Sequence, residues 1–325
     1  MFFMEPSFFL WSIPLAIALD LYFGDPQDMP IMHPVRRIGR FLELMEPEAR
    51  RLGDTRAVGA LCALVTVGLT SAVVWLLTAV LPGLWAAFSL YFAYSGLAFG
   101  SLLHTSASTL ETLEYGALPE AQAAVGQMVS RDTAVQDRPA LYKSLAESLS
   151  ENMTDAVTGP LFWLMLAGPV GLWAYKAIST IDSMWGYTTP RWKKLGWAGA
   201  RLDDILSFLP ARLGALFLYL AARLKGKNSH WPGWAVTARE ARQMESPNSG
   251  WPMAVAAWTQ QASMGGPTLY FGAIKQKPLI GPQDIAWDAQ RIRELIRQTR
   301  LAGLLAAGFF YIVALTFFYG ITCFS

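Results

Sequence analysis

Three carboxylates stand at helical spacing just before a long apolar segment. Glu147, Glu151 and Asp155 are each four residues apart, which places them on one face of a helix. Lys143 lies one turn earlier and Asn152 lies beside them. Oxygen ligands of this kind suit Mg²⁺ that is held together with substrate phosphates. A solvated acidic stripe is the ordinary alternative. However, this face ends at a membrane boundary, where unpaired charge is costly.

A second group combines cations, hydroxyls and an acid. Lys176 and Ser183 share one helical face and Asp182 precedes Ser183, while Tyr187 and Arg191 follow across a glycine-containing turn. Basic residues beside hydroxyls can bind phosphate. The same composition is also typical of an interfacial segment, where Lys and aromatic side chains gather at the membrane surface. Composition leaves both interpretations open.

Shorter motifs supply the remaining candidates. Acids flanked by arginines could bind a metal ion and phosphate together, or could be a helix cap with ordinary ion pairs. A rigid turn over residues 246–252 contains an asparagine. These candidates are Arg201, Asp203, Asp204 and Arg212, then Asn248, and finally Asp25, His33, Arg131 and Asp132.

Familiar nucleotide and nucleophile motifs are absent from the sequence. It contains no G-x-x-x-x-G-K-[ST], no G-x-G-x-x-G and no G-x-S-x-G, and no Cys/His cluster typical of zinc. A bound nucleotide would therefore need an unusual site. Cys62 and Cys323 both lie in apolar runs and give no disulfide framework.

The charges are distributed unevenly, and this predicts a membrane protein. Of the 325 residues 53% are hydrophobic and 15% charged, and the mean hydropathy is +0.31. Residues 57–110, 156–175 and 301–325 contain no Asp, Glu, Lys or Arg, so the other 226 residues carry all the charge. That excludes a soluble protein. The net charge of +2 gives no reason to expect a nucleic-acid partner.

Apolar runs of about 20 residues are long enough to span a bilayer. They predict a single membrane-embedded, all-α domain with about four spans, at 7–23, 57–80, 83–103 and 301–324. Residues 156–175 and 205–224 are interrupted by Gly and Pro, so each could be a span, a broken re-entrant segment or a surface helix. The predicted polar, catalytic segments are 24–56, 104–155, 176–204 and 225–300.

The positions of Lys and Arg favour an orientation. Six of them in residues 24–56 place that segment in the cytoplasm by the positive-inside rule. We therefore favour an arrangement in which neither doubtful segment crosses fully and the polar segments share the cytoplasmic face. Within these segments Pro119 and Pro139 mark helix starts, residues 273–283 are expected to form a loop, and 283–300 an amphipathic helix.

The ordered motifs resemble those of the adenosylcobinamide-phosphate synthases, the CobD/CbiB membrane enzymes of cobalamin biosynthesis. The resemblance runs nearly end to end, and its blocks include Gly24-Asp25-Pro26, His33-Pro34-Val35, Arg131-Asp132-Thr133, Glu147…Glu151-Asn152…Asp155, Tyr175-Lys176-Ala177, Asp182-Ser183-Met184, Arg201-Leu202-Asp203-Asp204, Pro210-Ala211-Arg212, Ser246-Pro247-Asn248 and Gly265-Gly266. Ser179 departs from the pattern, which has asparagine there.

The resemblance implies an ATP- and Mg²⁺-dependent amide ligation in the bacterial inner membrane. Adenosylcobyric acid would be joined to (R)-1-aminopropan-2-ol phosphate, or to the free amino alcohol. On that basis we expect Mg²⁺ ligands or a base among the acids, phosphate contacts among the cations, and substrate contacts at Asn152 and Asn248. The partners would be the corrinoid, the amino alcohol and the lipid bilayer. A homo-oligomer, or association with other cobamide-assembly membrane enzymes, is compatible with this.

Two other functions are weighed against the ligase. A membrane sensor of the related β-lactamase-regulation branch would lack several of these blocks. A transporter of cobamide precursors would use charges within its spans, and the predicted spans contain almost none.

Overall fold

The computed structural model describes residues 6–25, 33–79, 83–226, 231–270, 272–283 and 285–324, without the side chains of 6–10 and 317–324. It is 76% helical, which confirms the all-α prediction. Residues 26–32 of the predicted polar segment 24–56 and Val80 of the predicted span 57–80 lie outside the described residues.

Thirteen α-helices and two strands are present in the described part of the chain. In order they are α1 (Pro6–Phe23), α2 (Pro34–Leu52), α3 (Arg56–Ala79), α4 (Trp85–Gly96), α5 (Phe99–Tyr115), α6 (Leu118–Gly126), α7 (Arg138–Met153), α8 (Gly159–Trp185), α9 (Trp197–Leu206), α10 (Phe208–Leu224), α11 (Trp234–Ala241), α12 (Gly250–Gln260), β1 (Met264–Tyr270), β2 (Ala273–Ile280) and α13 (Ala289–Phe324).

The chain divides into two compact units. Unit 1 comprises Met1–Gly100, Gly159–Ser207 and Ala307–Ser325. Its central element is α8, which packs against α2, α3, α4 and α9. Trp173 and Trp185 of α8 are completely buried, and the indole N–H of Trp173 donates to the backbone oxygen of Phe92 at 2.9 Å. Large aromatic side chains of α8 therefore form much of this core.

Unit 2 comprises Ser101–Thr158 and Phe208–Ala306. Here α12 packs against α7, α10 and α11 and against both strands. Helix α7 starts as the sequence predicts, since Pro139 lies in its first turn and Asp137 caps it by accepting from the N–H of Ala140 at 3.0 Å. Leu141, Leu145 and Leu149, spaced four residues apart, form its buried apolar stripe.

Three of the four predicted spans, 57–80, 83–103 and 301–324, overlap helices of spanning length, whereas the predicted span 7–23 corresponds to the shorter apolar helix Trp11–Phe23. Four helices are long and apolar enough to cross a bilayer, at Arg56–Ala79, Trp85–Tyr115, Arg138–Trp185 and Ala289–Thr316, and α9 with α10 passes the same test as one broken pair. The doubtful segment 156–175 falls within the third, which has non-helical backbone at Ala167 and Gly168. The multi-pass prediction is thus confirmed, together with a broken segment where Gly and Pro predicted one.

One element departs from the prediction. The prediction of a loop at 273–283 is wrong, because most of that segment forms β2, which pairs antiparallel with β1 in a hairpin. Each strand carries a proline, Pro267 and Pro278. Proline in a strand is tolerated where one edge is unpaired, as in a two-stranded sheet. This is why the segment lacks an ordinary strand pattern.

Candidate functional site

A buried ion pair joins two of the predicted site residues in unit 2. Nη2 of Arg131 lies 2.7 Å from Oε2 of Glu147, and the two side chains are only 5% and 0% exposed. The other oxygen of Glu147 accepts from the N–H of Gly265 at 2.7 Å, and Nη1 of Arg131 donates to Oγ of Ser144 at 3.2 Å. Both oxygens of Glu147 are therefore engaged, and they hold α7 against β1.

The electrostatics of Arg131 reflect this pairing. Burial by itself lowers the pKa of a guanidinium, but the negative charge of Glu147 acts the other way. The net result is a raised pKa for Arg131, so it stays charged at any ordinary pH. A buried charge is tolerated here because its partner is within contact distance.

Asp132 fastens the tip of the hairpin. Its backbone N–H donates to the oxygen of Leu269 at 3.0 Å, and its carboxylate accepts from the N–H of Gly272 at 2.7 Å. Arg131 and Asp132 were both predicted to bind substrate or phosphate. In the structure they connect the 131–132 segment to the hairpin.

The other two carboxylates of the predicted stripe lie beyond Glu147. Glu151 is exposed, and Asp155, which lies in the π-helical turn Thr154–Thr158 that follows α7, is partly buried. Asn152 donates to Oγ of Ser148 at 3.0 Å. The stripe is thus divided into a buried anchor and two acids that solvent can reach.

Lys277 is a site residue that the sequence reasoning missed. It lies on β2, and of the charges acting favourably on Glu151 its ammonium contributes most, ahead of Arg131. Asp155 and Glu147 repel Glu151. Lys277 could have been identified from the sequence if its hairpin with the Gly265-Gly266 block had been predicted. A loop was predicted there instead.

The carboxylates of this face, Glu151 and Asp155, could hold a magnesium ion only together with substrate phosphates. The described residues contain no group of three or more His, Cys, Asp or Glu side chains suited to hold a metal. Mg²⁺, however, is commonly held by one or two carboxylates plus substrate phosphates and water. Glu151 and Asp155 fit that mode, in which the ion arrives with a phosphate.

Arg212 and Asn248 are brought together in unit 2, as a shared site requires. Nη1 of Arg212 donates to Oδ1 of Asn248 at 3.2 Å and to the backbone oxygen of Phe208 at 2.6 Å. The guanidinium also lies 4.8 Å from the ring centroid of Trp251. These contacts fix the 246–252 turn on α10.

In unit 1 a second polar cluster surrounds His33. Its Nδ1 accepts a long hydrogen bond, 3.4 Å, from the N–H of Val35 and so caps α2. Its Nε2 lies 3.5 Å from Oδ1 of Asp25. Burial is the largest influence and lowers the pKa of His33; Asp25 raises it, and the positive charges of Lys176 and Arg36 lower it further. The net lowering keeps this imidazole neutral near pH 7.

Asp20 lies in the same cluster. It is completely buried. Its Oδ2 accepts from the N–H of Gly100 at 2.9 Å, and both Asp25 and Lys176 act on it electrostatically. The structure therefore places Asp25, His33 and Lys176 within electrostatic reach of one another.

The other predicted residues of α8 lie along its last turns. Lys176 and Asp182 are partly buried, Ser183 is exposed and Tyr187 beyond the helix is partly buried. Asp182 is six positions after Lys176, so their side chains leave the helix about 120° apart. A single ligand would contact them from different sides of α8.

Arg191 is held by a neighbouring helix. Its Nη2 lies 2.7 Å from Oε1 of Glu46, and its backbone oxygen accepts from Arg50 at 3.1 Å. Burial raises the pKa of Glu46, but hydrogen bonds from Arg191 and Arg50 lower it more, so the carboxylate is ionised. Arg191 thus links the 186–196 loop to α2.

The last predicted group is on α9. Nη1 of Arg201 lies 3.2 Å from Oδ2 of Asp204, an i, i+3 ion pair, and Asp203 is partly buried beside them. These three residues belong to unit 1, whereas Glu151 and Asp155, the other predicted metal ligands, belong to unit 2.

Comparison with known proteins identifies the family. The family model described as "CobD/Cbib protein" matches residues 13–320 of this chain. The chain belongs to the CobD/CbiB family. A CobD/CbiB relative in Pelobacter propionicus, named cobalamin biosynthesis protein CobD, is 37% identical over 292 residues, which cover 88% of this chain and 89% of the relative. A relative of the same name in Geobacter metallireducens is 38% identical over 87% of this chain and 89% of its own length.

A third relative has nearly the same length as this chain. Cobalamin biosynthesis protein CobD of Streptococcus sanguinis is 35% identical over 95% of this chain and 99% of its own length. No solved structure matches the chain. Membership of the CobD/CbiB family confirms the resemblance predicted from the motifs and places the protein in cobalamin biosynthesis.

Proposed function

We propose that this protein is an adenosylcobinamide-phosphate synthase. It would join a propionate carboxylate of adenosylcobyric acid to (R)-1-aminopropan-2-ol phosphate, or to the free amino alcohol, in an ATP-dependent amide ligation. The observation that carries the proposal is the face of unit 2 on which Glu151 lies within electrostatic reach of Asp155 and Lys277. That face occurs in a member of a family named for cobalamin biosynthesis.

The chemistry explains why such a face is needed. A carboxylate is a poor electrophile, so the γ-phosphoryl group of ATP is first transferred to a carboxylate oxygen and ADP leaves. The amine nitrogen then attacks the acyl carbon, inorganic phosphate leaves, and the nitrogen gives a proton to a base. Positive groups must offset the phosphate charge, and a base must accept the proton.

The residues of unit 2 divide these tasks. Glu151 and Asp155 are the candidate base and Mg²⁺ ligands, and Mg²⁺ bound there would supply charge that offsets the phosphates. We assign Arg131 and Glu147 a positioning role, because each is engaged with the other and with neighbouring polar groups. In unit 1, Lys176 and Asp182 remain the candidates for contacts with substrate.

We further propose that the enzyme resides in the bacterial inner membrane with its active face towards the cytoplasm, where ATP and the corrinoid precursor are available. The support is the charge distribution of segment 24–56 under the positive-inside rule.

The test is amide formation by purified protein in lipid nanodiscs. With ATP, Mg²⁺, adenosylcobyric acid and either amino alcohol, we expect one adenosylcobinamide product and one ADP per amide, measured by mass spectrometry and coupled ADP detection. Glu151→Gln and Lys176→Met should each lower kcat/KM by about 10²-fold or more, the usual contribution of an acid–base or charge-stabilising group.

Lys193→Met is the matched control, because Lys193 is an exposed lysine of unit 1 outside the predicted site. It should leave the rate unchanged. Wild-type protein that hydrolyses no ATP and forms no amide with either amino alcohol would refute the proposal, and so would full activity in both Glu151→Gln and Lys176→Met.

A further inference from the structure

The guanidinium of Arg212, at the start of α10, is held from several sides. Side chains of a helix lean towards its N-terminus. That of Arg212 reaches back one turn, where its Nη1 donates to the backbone oxygen of Phe208 and to Oδ1 of Asn248. Its Cζ lies 3.4 Å from the ring centroid of Phe208 and 4.8 Å from that of Trp251. The protein itself therefore fixes this cation in one orientation.

Only part of the hydrogen-bonding capacity of Arg212 is used. A guanidinium has five N–H donors, and the two bonds of Nη1 take two of them. Within the described part of the chain Nη2 makes one long bond, 3.5 Å to the backbone oxygen of Pro247, and Nε makes none. Nε and Nη2 form one edge of the planar group, and such an edge can contact two oxygens of a carboxylate or phosphate at once.

No carboxylate balances this charge among the described residues, since no Asp or Glu there forms an ion pair with Arg212. A second guanidinium, that of Arg242, instead acts on it with charge of the same sign. Arg242 follows Ala241, whose backbone oxygen would lie 2.5 Å from a Cβ atom placed on Gly250, the residue before Trp251. Two neighbouring cations without an ion-paired acid favour the binding of an anion.

The surface around Arg212 is open. Arg242 and Pro247 are exposed, and the side chain of Phe208 is 46% exposed. The long bond from Nη2 to Pro247 also lies at the surface. The N-terminal end of α10 adds the positive end of its helix dipole, and α10 packs against the π-helical turn that contains Asp155. An anionic group can therefore reach these cations within the unit that holds the candidate base.

We propose that Arg212 and Arg242 bind the phosphomonoester group of the amino-alcohol substrate, and that Arg212 distinguishes the phosphorylated from the free amino alcohol. A phosphate monoester carries nearly two negative charges near pH 7, which two guanidinium groups can balance. Asn248 and Trp251 are positioning residues that hold Arg212. The site rests on the proposed function, which supplies the substrate. It goes further by naming the group that is bound and by adding Arg242, which the motifs did not single out.

The test measures binding of the amino alcohol separately from amide formation. In nanodiscs of zwitterionic lipid, calorimetry with (R)-1-aminopropan-2-ol phosphate should show that Arg212→Met weakens binding at least tenfold, or about 1.4 kcal/mol. Binding of the free amino alcohol and of a non-hydrolysable ATP analogue should stay the same. Arg242→Met should weaken binding of the phosphorylated compound several-fold. Arg223→Met is the matched control, because Arg223 is an exposed arginine of the same helix, and it should bind normally.

A measurement on wild-type protein keeps the test independent of any folding defect. Phenylglyoxal modifies arginine side chains, and mass spectrometry maps the modified residues. The phosphorylated amino alcohol should slow modification of Arg212 and Arg242 and leave that of Arg223 unchanged, and the free amino alcohol should protect none of them. Equal affinity of wild-type protein for both amino alcohols, or no protection of Arg212, would overturn the site. Protection by the ATP analogue or by added phosphatidylglycerol alone would assign these arginines to a different phosphate and would overturn it too.

The site and the proposed function can fail separately. If wild-type protein forms the amide while Arg212→Met keeps the wild-type preference for the phosphorylated compound, the site fails and the proposed function stands. If binding and protection are as expected but no amide forms with ATP and Mg²⁺, the proposed function fails and the site stands.

Discussion

Replacing Glu147 by glutamine tests how strongly the buried ion pair organises unit 2. Glutamine keeps the shape and the acceptor for the N–H of Gly265, so the change removes mainly the charge. Because Glu147 and Arg131 are 0% and 5% exposed, the guanidinium would be left buried without its counter-ion. Removing one partner of such a pair costs about 3–5 kcal/mol, which corresponds to a fall in melting temperature of roughly 6–20 °C for a unit of this size.

The assay is thermal unfolding in detergent, followed by loss of the monodisperse peak. Glu48→Gln is the control, because the Glu48–Arg51 pair is 62% and 75% exposed and such pairs contribute at most about 1 kcal/mol. The double variant Arg131→Met/Glu147→Leu should recover most of the loss, since an apolar replacement of a buried pair is often neutral. An equal shift in Glu147→Gln and Glu48→Gln would contradict the reasoning.

Two further predictions concern unit 1. The pKa of His33 is lowered in the folded protein, so below about pH 6.5 the unfolded chain binds more protons than the folded chain does. The stability that His33 contributes is therefore present above about pH 6.5 and is lost as pH falls through its folded pKa. His33→Asn, which can still cap α2, should lose less melting temperature than wild type between pH 7.5 and 5.5, and equal losses would count against the argument. Gly59→Ala should destabilise by about 1–3 kcal/mol, since the new methyl group would overlap the backbone oxygen of Leu195. Gly68→Ala, which meets nothing within 4 Å, should match or slightly exceed wild-type stability.

The helical part of the fold could be predicted because its causes are local. Runs without charge give the spans, and prolines at 119 and 139 lie in the first turns of α6 and α7. The break at Ala167 and Gly168 occurs where Gly-Pro sequences interrupt the run. The hairpin could not be predicted in the same way, because its two prolines and paired glycines resemble those of a loop.

The candidate site could be predicted only in part. Periodicity placed Glu147, Glu151 and Asp155 on one helix face, but it could not show which of them is buried. That is decided by Gly265, which is 118 residues away in sequence, and by Arg131. Lys277 was missed for the same reason, since its relation to Glu151 exists only once the hairpin has formed.

Because of the π-helical turn at Thr154–Thr158, the geometry of the site depends on the number of residues in this segment. A π turn holds one residue more than the α-helical path it replaces. Deleting a single apolar residue there, such as Val157, would let a regular helix form and would return Asp155 to the i, i+4 line with Glu147 and Glu151 that an unbroken helix requires. A deletion that removes none of the site residues would thus change the face that the three acids form. Relatives that share these acids are therefore expected to conserve the length of the turn as well.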